Sequence, residues 1–391
     1  MTLCLDTLSS AAHNKAFMKK KLSLLLILLS AGVLLLAGCL PGATTGFGCG
    51  GAPPSGWSGP VVANDTLYVG SMTGRLVALE DIFSPRARTK WQYPPGDEGD
   101  LGYVYGTPYY EDGVVYVAAY KGKVYALDAE NGWRMWAYPE DGTIGAIVGG
   151  PVVSEGVLYV GSSDGNLYAV NATTGREEWP PFQTGEDIWA TPAVHDGVVY
   201  IGSFDQKLYA ISAQNGVPVW SSPFMTGGSI ASAPLVYNDT LYFGSFDRTF
   251  YALNLDGTQK WTFDEAGNWF WGEPVAYDGT VIIGSLDGRV YALDAETGQE
   301  EWHYPAEEVV GPVRGHPAVA GGVVVFGSED GTVYAVDAAT GAKVWQRDLE
   351  NPVRAPVCAG EDVVYIHASN QKVYALETEF GGTVWSFYTG D

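Results

Sequence analysis

Three positions before each of eight prolines (Pro60, Pro108, Pro151, Pro192, Pro234, Pro274, Pro317 and Pro356) stand Trp57, Tyr105, Val148, Trp189, Ala231, Trp271, Arg314 and Val353. Trp269 precedes this series by two positions in one copy, and Glu273, His316 and Arg354 follow it by one or two. Aromatic rings interleaved with arginine and glutamate can stack a planar ligand, a sugar ring or a peptide. They have an equally open second use, in which Trp189, Trp269 and Trp271 plug a channel while Arg314 and Arg354 pair with Glu273 and neighbouring acids. Catalytic spacings are missing: there is no HExxH, no GxSxG and no CxxCH, and the histidines fall singly. His195 sits in an Asp-Gly turn, His303 follows Trp302 and His367 lies within a strand. Each is expected to be structural, leaving His316 to face the ligand side. Asp164, Asp205, Asp247, Asp287 and Asp330 recur at one turn position, which argues for turn chemistry over calcium ligation. No catalytic residue and no metal ligand is assigned.

What must position these residues is a repeat. Trp91, Trp136, Trp179, Trp220, Trp261, Trp302, Trp345 and Trp385 each close one copy of the same segment, at spacings of 45, 43, 41, 41, 41, 43 and 40. Such a period means a repeat architecture. Each copy reads as short alternating apolar runs broken by Gly, Asp and Asn, as in PVAYDGTVIIGSLDGRVYALDAETGQEEW from Pro274 to Trp302. These are strands joined by hairpin turns, with glycines such as Gly165 and Gly175 supplying positive φ. Helix signals are absent. Four strands per copy and eight copies predict an all-β, eight-bladed β-propeller of four-stranded antiparallel blades over 57–391, with one docking tryptophan wedged between each pair of blades. In a propeller the D-to-A connections and B–C hairpins share one face around the central channel, so the residues of the first paragraph are expected at its mouth.

YALDAETGQEEW (Tyr291 to Trp302), YAVDAATGAKVW (Tyr334 to Trp345) and YALDAENGWRMW (Tyr125 to Trp136) resemble the pyrroloquinoline-quinone-type propeller repeat, over about 330 of 391 residues. The resemblance implies the propeller and a structural role for the tryptophan. It also implies kinship with lipoproteins similar to BamB, the scaffold subunit of the outer-membrane β-barrel assembly machinery. Quinone-dependent dehydrogenases of this fold hold their cofactor under a vicinal disulfide and beside calcium, with a catalytic aspartate on long inserted loops. This chain has no adjacent cysteine pair and its D-to-A connections are short. Neither the quinone nor calcium is therefore expected. The terminal copies depart from the rest. The first lacks the Thr-Gly turn and has a longer C–D connection, EDIFSPRARTK, while the eighth reads ETEFGG and puts His367 and Ala368 where others have Gly-Ser. Closure without a shared blade, or with residues 47–57 lending an edge strand, are both open.

Ahead of the repeats, Met18-Lys19-Lys20-Lys21, an apolar run of about seventeen residues and Leu36-Ala37-Gly38-Cys39 resemble a bacterial lipoprotein signal. Residues 1–38 are read as a signal peptide, with 1–17 as a start-site extension, and Cys39 as the lipidated residue. Residues 39–56, rich in Gly, Pro and Ser, read as a flexible tether. An uncleaved membrane anchor is the other reading; both place the propeller outside the cytoplasm. Leu40 rather than aspartate follows Cys39, so in a two-membrane bacterium the outer membrane is expected, and otherwise the outer face of the cytoplasmic membrane.

The chain has 21 basic and 45 acidic residues and a formal charge of −24; removal of 1–38 takes four lysines and one aspartate, leaving 17 against 44 and a charge of −27. That surface repels phosphate backbones and anionic headgroups, which excludes nucleic acid and leaves the lipid to hold the membrane. Cys49 and Cys358 then remain. A bridge between them could pin the tether across the closure, but Cys358 also fits as a small apolar residue, in the series of Val62, Val153, Val194, Val236 and Val319 counted from the prolines. The expectation is a lipid-anchored, extracytoplasmic scaffold without enzymatic activity, a monomer within a complex of envelope or secreted proteins. Two alternatives stand beside it: a receptor for a small ligand at the channel mouth, and a degenerate quinoprotein.

Overall fold

In a computed structural model, residues 57–96, 99–360 and 362–390 are described. Within them thirty-two strands form eight sheets, each of four consecutive antiparallel strands, giving the eight-bladed propeller. The sixth blade shows why the sequence folds this way. Its strands A to D are Val275–Tyr277, Thr280–Ser285, Arg289–Asp294 and Glu300–Tyr304. Asp278 and Gly279 join A to B with both φ angles positive, the two-residue turn whose twist matches the strands it connects. The same positive pair recurs in blades one to five and seven, as Asn64–Asp65, Asp112–Gly113, Glu155–Gly156, Asp196–Gly197, Asn238–Asp239 and Gly321–Gly322. Between C and D, Asp294 accepts the backbone N–H groups of Glu296 and Thr297 at 3.1 and 2.7 Å and so fixes the turn. The fourth blade is the least regular, because Pro218 and Pro223 deny donors to its outer strand, shortened to Phe224–Met225.

A four-stranded sheet cannot bury both faces alone, and the buried apolar residues duly fall into eight clusters, each made by two neighbouring blades. The tryptophan series locks each junction. Every one of the eight donates its indole Nε1–H to a backbone carbonyl of the next blade: Trp91 to Ala129, Trp136 to Ala172, Trp179 to Ala213, Trp220 to Leu255, Trp261 to Ala295, Trp302 to Ala338, Trp345 to Thr378 and Trp385 to Ile82, at 2.7 to 3.1 Å. At seven of the eight junctions, all but that of Trp385 with the first blade, the C–D glycine of the next blade lies against the ring. A Cβ on Gly298 would stand 2.5 Å from Trp261.

Blades one and eight meet without sharing a sheet. Their junction is apolar, with Leu67, Val69, Leu79 and Ile82 against Tyr365, Val373, Ala375 and Trp385. Ser58 and Gly59 run where a D-to-A connection would pass, and the carbonyl oxygen of Ser58 lies 3.0 Å from His367 Nδ1. Cys358 pairs with Tyr365, whereas Val61 pairs with the corresponding Tyr68. The approach from Pro356 to strand A is thus one residue longer than in the first blade, and Cys358 belongs with Val61, not with Val62 as counting from the prolines suggests. Its thiol is half-buried beside Val62, and burial pushes its pKa up to about 11. The signal peptide, Cys39, the tether and Cys49 lie outside the described residues, as does any bridge from Cys49. No helix among the described residues is long and apolar enough to cross a membrane.

Candidate functional site

The channel mouth is built by welding each B–C turn to the connection that leads into its blade. The turn reads Ser-X-Asp. In the fourth blade Ser203 accepts the N–H of Asp205 at 3.2 Å, and Asp205 accepts the N–H of Lys207 at 3.2 Å and that of Gly185, in the incoming connection, at 2.9 Å. Tyr209 also donates its hydroxyl to Asp205. Asp164, Asp247, Asp287 and Asp330 repeat this set through Gly145, Gly227, Gly267 and Gly311 and through Tyr168, Tyr251, Tyr291 and Tyr334. These carboxylates are saturated by protein donors, as turn chemistry requires. Burial opposes ionisation of Asp205, but its hydrogen bonds and Lys207 outweigh that, and its pKa lies below the ordinary range. Residue X of each turn then donates its backbone N–H to the same incoming connection, Phe204 to Asp187 at 2.9 Å and Phe246 to Ser229 at 2.9 Å among them.

Held this way, the side chains at X and those three before each proline converge. Trp57 meets Tyr105 edge to face at 4.7 Å, and Tyr105 meets Tyr120 at 5.3 Å. Across the mouth, Trp189 contacts Phe204 at 4.6 Å and Trp271 at 6.1 Å. Phe246 stacks on Trp269 at 4.6 Å and on Trp271 at 5.2 Å. The Arg314 guanidinium links the two groups, 4.5 Å from the centre of the Trp271 ring and 5.9 Å from that of Trp57. Burial, with Tyr120 and Tyr103 nearby, pushes the Tyr105 hydroxyl up to about 12, so it is neutral.

The two arginines pair with a neighbouring rim acid, as expected, but that acid is Glu329 alone. Arg314 and Arg354 do not turn to Glu273; both reach Glu329 Oε1 through Nε, at 2.8 and 3.4 Å. Glu273 Oε2 lies instead 3.4 Å from His316 Nδ1. The reason is proximity: Glu329 is residue X of the seventh blade, set between the connections that carry the two arginines. Burial raises the pKa of Glu329, yet the two arginines outweigh it and keep the carboxyl below its ordinary range.

Phe204, Phe246, Tyr120 and Glu329 are the residues that sequence reasoning passed over. Their signal was present one position before the turn aspartate or its equivalent, a place read only for turn chemistry. The other described histidines make no contact with the aromatic cluster of the mouth. His195 Nε2 is 3.5 Å from Asp196, His303 Nδ1 is 2.7 Å from Glu300, and His367 is buried at the closure. Among the described residues no three His, Cys, Asp or Glu side chains converge in a way that could hold a metal ion.

The profile of a family described as outer membrane protein assembly factor BamB matches residues 48–180 and 181–386. Solved structures that share the fold include the following three. BamB from Moraxella catarrhalis is 20% identical with a TM-score of 0.65, over 82% of this chain and 91% of that one. A europium-containing methanol dehydrogenase is 16% identical with a TM-score of 0.67, over 83% of each chain. The computationally designed Ika8 protein is 16% identical with a TM-score of 0.70, over 83% of this chain and 96% of that one. No curated protein matches the chain in sequence.

Proposed function

Because this chain belongs to the family of outer membrane protein assembly factor BamB, we propose that it is an extracytoplasmic, lipid-anchored scaffold that binds envelope or secreted proteins and catalyses no reaction. The observation that carries this reading is how the aromatic residues at the mouth are used. Trp269 and Trp271 lie on Phe246, the Arg314 guanidinium lies on Trp271, and Trp57 meets Tyr105 edge to face. Their faces are spent on one another. A planar quinone needs an open pair of faces and, beside it, carboxylates free to hold a cation; the mouth's recurrent aspartates are already saturated by Gly N–H and Tyr hydroxyl groups. The residues therefore do not fit the quinone cofactor or its calcium, and no catalytic step is derived through them.

A rigid ring with donors, rings and charges on the loops of one face suits recognition of a protein surface. The lipobox-like Leu36-Ala37-Gly38-Cys39 supports anchoring through Cys39, at the outer membrane of a two-membrane bacterium or the outer face of the cytoplasmic membrane otherwise. The surplus of acidic residues supports a protein partner over nucleic acid.

Crosslinking of the tagged full chain in its native membranes, followed by mass spectrometry of what co-purifies, tests the reading. Recovery of a barrel-assembly or secretion component, lost when Trp271 and Arg354 are replaced, is the expected result. A preparation without any specific protein partner sinks it.

A further inference from the structure

Once internal pairing at the channel mouth is complete, two kinds of donor are left over. The first is cationic. Glu329 answers both Arg314 and Arg354 through a single oxygen, so the trio carries one net positive charge in a chain of formal charge −24. Among the described residues, the Nη groups of neither arginine donate to a protein acceptor. The second is an indole. Trp189 Nε1 is buried with no hydrogen-bond partner, whereas all eight docking tryptophans donate theirs. Trp189 and Arg314 both contact Trp271, so the unused N–H and the surplus charge flank one ring. Arg314 is held by that ring and Arg354 by Glu329, which fixes the guanidiniums before any ligand arrives.

Resting on the scaffold reading, we infer that this spot receives an aspartate or glutamate side chain from an extended acidic segment of the protein partner. The carboxylate would accept from the Arg314 and Arg354 Nη groups, and a neighbouring acceptor on the segment would meet Trp189 Nε1. The stoichiometry of charge selects the ligand. One surplus cation matches one carboxylate, while a nucleic acid or an anionic lipid surface brings many negative charges against an acidic protein. The spent aromatic faces point the same way, since what remains are donors rather than a stacking slot.

The test uses the full lipidated chain in detergent micelles, immobilised and exposed to a synthetic pool of random octapeptides whose retained members are sequenced. Asp and Glu should be enriched about threefold over the input, the size expected of a part-exposed charge pair. The enrichment should vanish at about 0.5 M salt, where screening reaches within a few ångströms. Arg354→Glu should abolish it, and Glu329→Gln, which frees both arginines, should raise it. Arg354 is chosen because no ring stacks on it, and an unchanged melting temperature will show that the variant folds. Retention without acidic enrichment, enrichment that survives Arg354→Glu, or no retention at all overturns the inference. The two readings fail separately: a membrane partner that still co-purifies with Arg354→Glu removes this inference and leaves the scaffold, whereas acidic peptides retained by a chain with no membrane partner remove the scaffold alone.

Discussion

Trp385 donates its indole N–H to the carbonyl oxygen of Ile82 at 2.8 Å, across 303 residues of chain. The seven other docking bonds span 33 to 38 residues and join blades that the chain already connects. At the closure, side chains alone hold the ring. Trp385→Phe keeps most of the ring's bulk and leaves the buried Ile82 carbonyl unpaired, at a cost of about 1–3 kcal/mol. Trp220→Phe removes the equivalent bond where the chain is continuous. Both variants should lower the denaturation midpoint, but only Trp385→Phe should accelerate amide exchange selectively in 66–70 and 363–368, because those strands can part without unfolding their blades. Equal exchange in the two variants would mean that the closure is no weaker than the other junctions.

Two glycines separate backbone conformation from packing. Gly279 has φ of +84° and open space where a Cβ would sit; Gly298 has φ of +72° and Trp261 2.5 Å away. Gly279→Ala should therefore cost about 1 kcal/mol for the left-handed backbone alone. Gly298→Ala adds a clash with a docked indole and should cost about 2–4 kcal/mol in all. Urea unfolding of the two variants measures the difference. Equal losses would show that the Thr-Gly turn is kept for its φ alone.

The propeller was legible because its signals are local and repeated. The tryptophan period, the Asp-Gly pairs at A–B turns and the short apolar runs each depend on neighbours within a few residues, and eight copies average out the exceptions. The mouth was legible only in part. Counting back from the prolines located Trp57, Tyr105, Trp189, Trp271 and Arg314, because the connections are nearly constant in length. It could not find Glu329, whose partners lie 15 and 25 residues away in the connections before and after its blade, nor Phe246, whose position looked like turn filler. The same count misplaced Cys358 by one, since a proline precedes the strand without fixing how many residues separate it from the first paired position.

Asp205 offers a test of why the turn aspartates recur. It accepts from Gly185, Lys207 and Tyr209, joining two segments of backbone and one half-buried hydroxyl. Asp205→Ala strands those donors and should lower stability by about 2 kcal/mol. If turn geometry is the whole reason, calcium should raise the melting temperature of neither the parent nor the variant, and a chelator should lower neither. A calcium-dependent shift in the parent that disappears in Asp205→Ala would make these carboxylates ligands instead.

His367 takes the place held by Gly70, Gly161, Gly202, Gly244, Gly284 and Gly327 in other blades, and its ring is 1% exposed. Neutral imidazole donates from Nδ1 to the Ser58 carbonyl, while Nε2 finds no partner. Burial pushes the pKa down to about 4, against the smaller opposing effect of the Ser58 bond. In the unfolded chain it returns to about 6.5. Above that pH neither state binds the proton and the closure keeps its full stability. As the pH falls from about 6.5 to about 4, the unfolded chain takes up a proton that the folded ring refuses. Stability then drops, by about 3 kcal/mol at full extent, and levels off once the folded imidazole also titrates. Asp205 and Glu329, whose folded pKa values are depressed, lose their contribution only below the ordinary carboxylate range, so the window belongs to His367. His367→Asn keeps a donor for Ser58 but cannot titrate. Guanidinium midpoints measured from pH 7.5 to 4.5 should fall more steeply for the parent than for the variant, and amide exchange at the blade one–eight junction should rise with the fall. Parallel pH curves would show that the buried imidazole is not what makes the closure sensitive to acid.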